Sequence, residues 1–459
     1  MKSPSRLTNV HSRSLVWSFL RAGFGGAGGQ FINFLALPIL SRLYAPDAYA
    51  GWALVIASAT ILGSIAGFRF ELAIVIPKDE REATSVFWGY LLISILVVLC
   101  AFLGLTAIDP AGTLFLGNFR YDFGFLSINV LIGFLAFFLA TYNLLLYWHI
   151  RHQRYSINSV AQITLAGFTL AGQAGWAMMR QPTASGLIFG TLLGQLAGLS
   201  VLLVGALYSR SFPHLDHQIV RAIPAQLKVY QKFPTYSTPY TMLGLLRDRA
   251  ALFILGYFAN ASQVGQYAFV YRIMNFPVAL ISNSLRPVLF QISASQGVKS
   301  VELQINKILK WLIVFSTPFL VFYFFFADEI FLWFFGSEWI QAGHIGKYVI
   351  FPIYTFLFVN WMDRIMDVLG QQRTTLVLEA IFATLSVLAL SGGFFLGMEL
   401  EGALGMSAIV LVLYNITYLI VVYERAGYDK ARLLSMLGFG VISAGISLAV
   451  AVLFRTVFA

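Results

Sequence analysis

Charge is scarce in this sequence: lysine, arginine, aspartate and glutamate together make up 11% of its 459 residues. A soluble domain uses about 25% to cover its solvated surface. The handful of soluble domains that the length alone would suggest is therefore excluded, and lipid is left as the solvent for most of the exterior. Cysteine is nearly absent as well. Cys100 stands alone inside an apolar run, which excludes a disulfide framework and a cysteine metal site and leaves a packed thiol as the expectation. The six histidines show no metal-ligand spacing, and His149-Ile-Arg-His152 reads as a basic turn. There is no nucleotide-binding motif, so neither ATP hydrolysis nor any cofactor or metal is expected. Arg21-Ala-Gly-Phe-Gly-Gly-Ala-Gly-Gly-Gln30 is glycine-rich, but it lacks a preceding strand and the lysine-serine/threonine ending of a phosphate loop. Small residues that let helices approach closely explain it better. No run alternates with period two, which argues against a membrane β-barrel. Acidic residues are outnumbered 20 to 30 by basic ones, yet the basic residues sit between apolar runs and not along one soluble face, so nucleic acid is not an expected partner.

What the sequence has in abundance is long apolar runs, with 59% hydrophobic residues and a mean hydropathy of +0.78. A helix needs about 20 such residues to cross about 30 Å of hydrocarbon. Runs of that size fall at 14–40, 47–70, 83–107, 123–148, 157–178 and 186–208, then at 235–258, 263–290, 307–327, 342–369, 374–397 and 402–423, with a last one at 433–457. The basic start (Lys2, Arg6, Arg13) precedes a long run without a small-residue cleavage site, and it reads as the first membrane helix and not a removed signal. With the N-terminus in the cytoplasm, sixteen lysines and arginines fall in cytoplasmic connections, and only Arg42, Arg120, Arg180 and Arg455 fall outside. That asymmetry is the positive-inside pattern.

The longest hydrophilic connection, 209–232, divides the chain into six spans and six spans, so that two lobes (14–208 and 233–424) are parallel, with 433–457 an additional hydrophobic helix. A local repeat supports duplication. Leu37-Pro-Ile-Leu-Ser-Arg-Leu-Tyr-Ala-Pro-Asp-Ala-Tyr-Ala-Gly-Trp52 aligns without gaps on Leu252-Phe-Ile-Leu-Gly-Tyr-Phe-Ala-Asn-Ala-Ser-Gln-Val-Gly-Gln-Tyr267, an offset of 215. In each copy a helix is expected to end, turn, and restart at an aromatic residue.

The same segment, together with Phe68-Arg-Phe-Glu-Leu-Ala-Ile-Val-Ile-Pro-Lys-Asp-Glu-Arg-Glu-Ala83 and Arg247-Asp-Arg-Ala-Ala-Leu-Phe-Ile-Leu-Gly-Tyr-Phe258, resembles the bacterial oligosaccharide flippases of polysaccharide and O-antigen export. Lipid II flippases and multidrug-extrusion transporters are relatives of that family. The resemblance runs from about residue 14 to 424. It departs from the family pattern at Ala50-Gly51 in the turn and in the thirteenth run. It implies an all-α polytopic protein of two six-helix lobes around a central cavity, in the bacterial inner membrane. It also implies an undecaprenyl-pyrophosphate-linked oligosaccharide cargo moved to the outer leaflet by alternating access for cell-surface polysaccharide (lipopolysaccharide) synthesis, with polysaccharide polymerase or export proteins as partners.

The charges agree with a passage for an anion. A charge near the bilayer centre costs about 2.5–3.5 kcal/mol on insertion scales and usually faces a bundle interior or a watery path. Arg247-Asp248-Arg249 falls near mid-membrane, and at about 100° per residue its two arginines point about 200° apart. One of them is expected to meet pyrophosphate while Asp248 holds the other, or an arginine on a neighbouring helix; the alternative is a buried structural ion network. Arg272 is a second lumenal candidate, and Arg21 either receives the headgroup at the inner mouth or snorkels. Arg69 and Glu71 are expected as an ion pair at the inner mouth. Asp363, Arg364 and Asp367 form a coupling or gate candidate, or else a solvated inner mouth. Arg286 and Lys347 read as snorkelling residues. Guanidinium suits phosphate because it forms bidentate hydrogen bonds and stays charged when poorly hydrated. A multidrug exporter is the alternative transporter, though its cationic cargo fits poorly with midplane arginines. A membrane glycan polymerase or glycosyltransferase would need a larger catalytic loop, so no enzyme is expected.

Overall fold

A computed structural model describes residues 28–109 and 127–458. Among them every regular element is helical, as a chain that must satisfy its backbone without water requires. The helices are α1 (28–43), α2 (Pro46–Ile65), α3 (Glu80–Ile108), α4 (Ile128–Arg151), α5 (Tyr155–Met179), α6 (Ala184–Tyr208), α7 (His217–Val229) and α8 (Thr238–Phe258). They continue with α9 (Ala261–Gln296), α10 (Glu302–Phe335), α11 (Ile340–Val359), α12 (Asp363–Val368), α13 (Gln372–Phe395), α14 (Leu400–Ala426) and α15 (Lys430–Phe458). Nine of the described helical segments are long and apolar enough to cross a membrane, the last being Lys430–Leu453, which overlaps the thirteenth run. The chain is a multi-pass membrane protein. α5, α8 and α9 have 25, 21 and 36 residues, long enough to span, and their polar side chains keep them outside that set.

The described contacts fall into two compact units, one ending at Gly265 and the other starting at Gln266. In the first, α5 and α6 form the most extensive helix pair, α4 packs on α2, α3 and α6, and α7 lies on α3. Its core centres on Phe70, Ile74, Phe87, Tyr90, Leu144, Trp148 and Leu202. α8 belongs here because it packs on α2, where a methyl at Gly256 would meet Leu54 at 3.4 Å. Gly265, in the first turns of α9, approaches the start of α2 so closely that a methyl there would lie 1.8 Å from the Pro46 carbonyl oxygen, a contact only glycine permits. In the second unit α13 packs on α14, α11 on both α10 and α14, and α15 along α10.

The repeat is visible in the backbone. α1 stops before Tyr44-Ala45 and α2 restarts at Pro46; α8 stops before Ala259-Asn260 and α9 restarts at Ala261, so both breaks fall at the same offset of 215.

Three expectations change. The run at 47–70 ends its α-helix at Ile65, because Phe68 and Arg69 take left-handed backbone angles (φ 47° and 61°) and a 3₁₀ turn, Phe70–Val75, follows. The run at 342–369 is two helices, broken at Asn360–Met362. Cys100 is exposed and not packed, since the apolar stretch of α3 is only 11% buried and offers most of its surface to lipid.

Candidate functional site

On α8 the ten residues from Thr238 reach Arg247 near the middle of a 21-residue helix, the depth that a cation seldom occupies without a purpose. Asp248 accepts from Arg247 through one oxygen, Oδ1, at 2.9 Å from Nη2 and 3.1 Å from Nε. Arg247 is the more enclosed partner, with 10% of its side chain exposed against 38% for Asp248. The pair is adjacent in sequence, so Asp248 neutralises one of the two arginines. Arg249 is half-buried on the same helix, and no carboxylate lies within ion-pair distance of it among the described residues. α8 therefore carries one compensated and one uncompensated guanidinium at mid-helix. Arg272 is half-buried on α9 in the second unit. Arg21 lies outside the described residues.

Arg69 and Glu71 pair at 2.9 Å. The pair is largely buried, with 22% of the Arg69 side chain and only 2% of the Glu71 side chain exposed. Glu71 sits in the 3₁₀ turn beside Phe70, Ala73 and Ile74, and the left-handed Arg69 folds its guanidinium back over the turn. Left-handed angles cost a bulky residue such as Phe68 of order 1–3 kcal/mol, so the surrounding packing must hold the turn. Arg151 of α4 does part of that, donating to the carbonyls of Ile74 (3.0 Å) and Pro77 (2.6 Å) and to Glu80.

Burial raises the Glu71 pKa above its ordinary 4.5, with Arg69 opposing only partly. A carboxyl whose folded pKa is raised favours the native state most below 4.5 and loses that contribution as pH rises through the raised value. Thermal unfolding of the purified protein is thus expected to show wild type gaining stability on acidification down to 4.5. Glu71→Gln should flatten that slope, and an identical pH profile for the two proteins would contradict the assignment.

In the second unit the break after α11 is organised by Arg286, which is not a snorkelling residue. Its Nε donates to the Asn360 carbonyl (2.9 Å) and to Asp363 Oδ1 (3.1 Å), and its Nη2 to Asn360 Oδ1 (2.7 Å). Asn360 in turn donates to Ser282 on α9 at 2.9 Å. Arg286 thus caps one helix end and fixes the start of α12. Asp363 also receives the Arg364 amide at 2.9 Å, and Arg364 pairs with Asp367 at 2.9 Å. Each of the two aspartates has its own arginine, Asp363 with Arg286 and Asp367 with Arg364. Burial raises the Asp367 pKa, and Arg364 opposes it. Arg286→Met is expected to lower stability by about 1–3 kcal/mol, because a largely buried Asp363 and a helix-end carbonyl lose their donor. The thermal midpoint of Arg286→Met against Arg286→Lys checks this, and equal midpoints for Met and wild type would refute it.

Lys347 is likewise paired, to Asp328 at 3.2 Å, with His344 at 3.5 Å from the same oxygen. Gln173 ties α5 to its neighbours: its side-chain amide nitrogen donates to the Leu187 carbonyl of α6 at 3.0 Å, and its backbone carbonyl accepts from Tyr44 Oη at 2.7 Å.

One buried acid was not singled out by sequence. Glu379, in the middle of α13's apolar pattern, is 3% exposed and accepts from Tyr414 Oη on α14 at 2.5 Å. The available signal was its position, a lone carboxylate inside the run 374–397. Next to it Asn415 ties α14 to α11 through the Pro352 carbonyl (3.0 Å) and Thr355 Oγ1 (2.9 Å). Among the described residues no group of three His, Cys, Asp or Glu side chains is arranged to hold a metal.

Solved structures share this fold. A lipid II flippase, MurJ, in an inward closed conformation superposes with a TM-score of 0.64, covering 96% of this chain and 98% of that one at 13% identity. A MATE transporter in complex with MaL6 gives 0.59, covering 89% and 96%, also at 13% identity. At these identities the likeness establishes the two-lobed transporter fold alone. Among curated proteins the succinoglycan biosynthesis transport protein ExoT of Rhizobium meliloti (strain 1021) is 22% identical over 376 residues, 77% of this chain and 70% of that protein. The family described as polysaccharide biosynthesis protein matches residues 39–344, about two thirds of the sequence and all of the segments built above from α2 to the start of α11. The chain belongs to this polysaccharide biosynthesis protein family.

Proposed function

We propose that the protein is a flippase for a polyprenyl-pyrophosphate-linked oligosaccharide, moving it from the cytoplasmic to the outer leaflet of the bacterial inner membrane by alternating access. In this reading the N-terminus is cytoplasmic, and residues 14–208 and 233–424 form the two lobes, joined by 209–232. The observation that carries it is Arg249, a guanidinium at mid-helix with no carboxylate partner among the described residues, while its neighbour Arg247 is neutralised by Asp248. A cation held uncompensated at that depth suits an anionic headgroup, and guanidinium can engage pyrophosphate oxygens bidentately. Arg272 and Arg21 are further cationic candidates for the cargo headgroup. Membership of a polysaccharide biosynthesis family and likeness to a lipid II flippase support the cargo class. Glycan polymerase and export proteins are the partners this role implies.

Reconstitution with a fluorescent polyprenyl-pyrophosphate glycan tests it. Leaflet exchange should exceed that of empty liposomes. Exchange at the empty-liposome rate under ion gradients of either sign, alongside extrusion of cationic dyes, would replace this reading by a multidrug exporter.

A further inference from the structure

The connection 209–232 contains a helix that neither the spans nor the cargo path uses. Asp216 caps α7 by accepting from the Ile219 amide at 2.7 Å. The helix then turns Ile219, Ile223 and Leu227 onto α3, where Gly89 leaves room: a methyl there would sit 3.0 Å from Leu227 and 3.1 Å from Ile223. The apolar face is therefore satisfied by protein. On the opposite face His217, Arg221 and Lys228 lie within about 40° of one another at about 100° per residue, and all three are exposed. Lys232, just past the helix end, is exposed as well. No acidic residue occurs from 217 to 237, and none of these cations has an ion-pair partner among the described residues. Soluble surfaces intersperse both signs; this one is of a single sign over its whole length.

The chain leaves a membrane-spanning helix shortly before α7, since α6 ends at Tyr208. Eight residues separate α6 from α7, so the stripe is tethered near the bilayer surface. Potentials at an anionic surface fall off within about 8 Å at physiological salt, and a tethered basic helix samples that layer. We propose that the His217, Arg221, Lys228 stripe of α7, extended by Lys232, is a docking surface for the headgroups of anionic phospholipids on its side of the membrane. The proposal is independent of the cargo assigned above.

The test uses the full-length protein in neutral detergent, titrated with phosphatidylglycerol or phosphatidylcholine while its thermal midpoint is followed. A ligand that binds only the folded form raises the midpoint by mass action. Phosphatidylglycerol is expected to raise it and phosphatidylcholine to leave it in place. Each lysine or arginine near an anionic surface is worth roughly a fivefold factor in affinity. Arg221→Gln with Lys228→Gln should therefore need about twenty-five times more phosphatidylglycerol for the same shift. A second measurement avoids any variant: 1 M salt, where screening shortens to about 3 Å, should abolish the shift in the wild-type protein. Equal responses to the two lipids, a double variant with the wild-type titration, or a shift that survives 1 M salt each overturn the proposal. So does inorganic pyrophosphate reproducing the phosphatidylglycerol shift, which would make the stripe a site for a soluble anion.

Discussion

Arg249→Ala is expected to insert normally and to lower glycan exchange about a hundredfold. A guanidinium on a phosphate makes two charge-assisted hydrogen bonds, each worth about 1.5–3 kcal/mol. Losing the pair at the low end costs about 3 kcal/mol, and every 1.4 kcal/mol is about a factor of ten. Arg249→Lys keeps the charge and loses the fork, so it should fall between wild type and alanine. Arg247 predicts a different pattern. Its alanine variant leaves Asp248 without the partner now 2.9 Å away, so yield and stability should suffer first, and Asp248→Asn in the same chain should restore them. Asp248→Asn alone removes a negative charge beside Arg247 and Arg249, which should tighten headgroup binding and slow release. Exchange rates of the reconstituted variants, normalised to inserted protein, separate these outcomes. An Arg249→Ala protein as fast as wild type would remove that residue from the cargo path.

Much of the fold was legible because membrane spans are written as run lengths, and run lengths survive without an alignment. The helix break at residues 44–45 and its copy at 259–260 were legible too, since an apolar run ending in Tyr-Ala-Pro or Ala-Asn-Ala marks its own turn. Three features were not. The break at Asn360–Met362 interrupts an apolar run by only three residues, and what stabilises it is Arg286, 74 positions earlier. The left-handed turn at Phe68 and Arg69 uses no glycine at either residue, so its sequence carries no turn signature. The choice between Arg247 and Arg249 as the partner of Asp248 could not be made from spacing. Both are immediate neighbours, and side chains one apart do not face each other on a helix; only the reach of a long guanidinium closes the pair. Glu379 shows a further limit. One carboxylate barely lowers the mean hydropathy of a 24-residue helix, so a window average conceals the residue that burial makes most expensive.

Gly190→Leu and Gly194→Leu are expected to be among the most destabilising single substitutions in the first unit. Lipid tails are as apolar as leucine, so membrane helices gain little from apolar burial against each other and associate through close packing of small residues. α6 presents Gly186, Gly190, Gly194 and Gly198 at every fourth position, and all four meet neighbouring helices. A methyl on Gly190 would lie 2.5 Å from the Gln173 amide nitrogen and 2.8 Å from the Thr169 carbonyl oxygen, and one on Gly194 would lie 2.6 Å from the Leu165 carbonyl oxygen. These are backbone atoms of α5 and cannot rotate away, so the helices must separate. Even alanine should cost about 1–3 kcal/mol by overpacking, and leucine more, because separation also breaks the Gln173 to Leu187 hydrogen bond that joins the same two helices. Gly104 is the control. It lies in α3 with nothing within 4 Å of an added methyl, so Gly104→Ala should be neutral or stabilising by up to about 1 kcal/mol through helix propensity alone. Thermal midpoints of the purified proteins decide between the two mechanisms. If Gly190→Ala and Gly104→Ala shift the midpoint alike, propensity and not close packing governs the glycines of α6, and the association of α5 with α6 needs another cause.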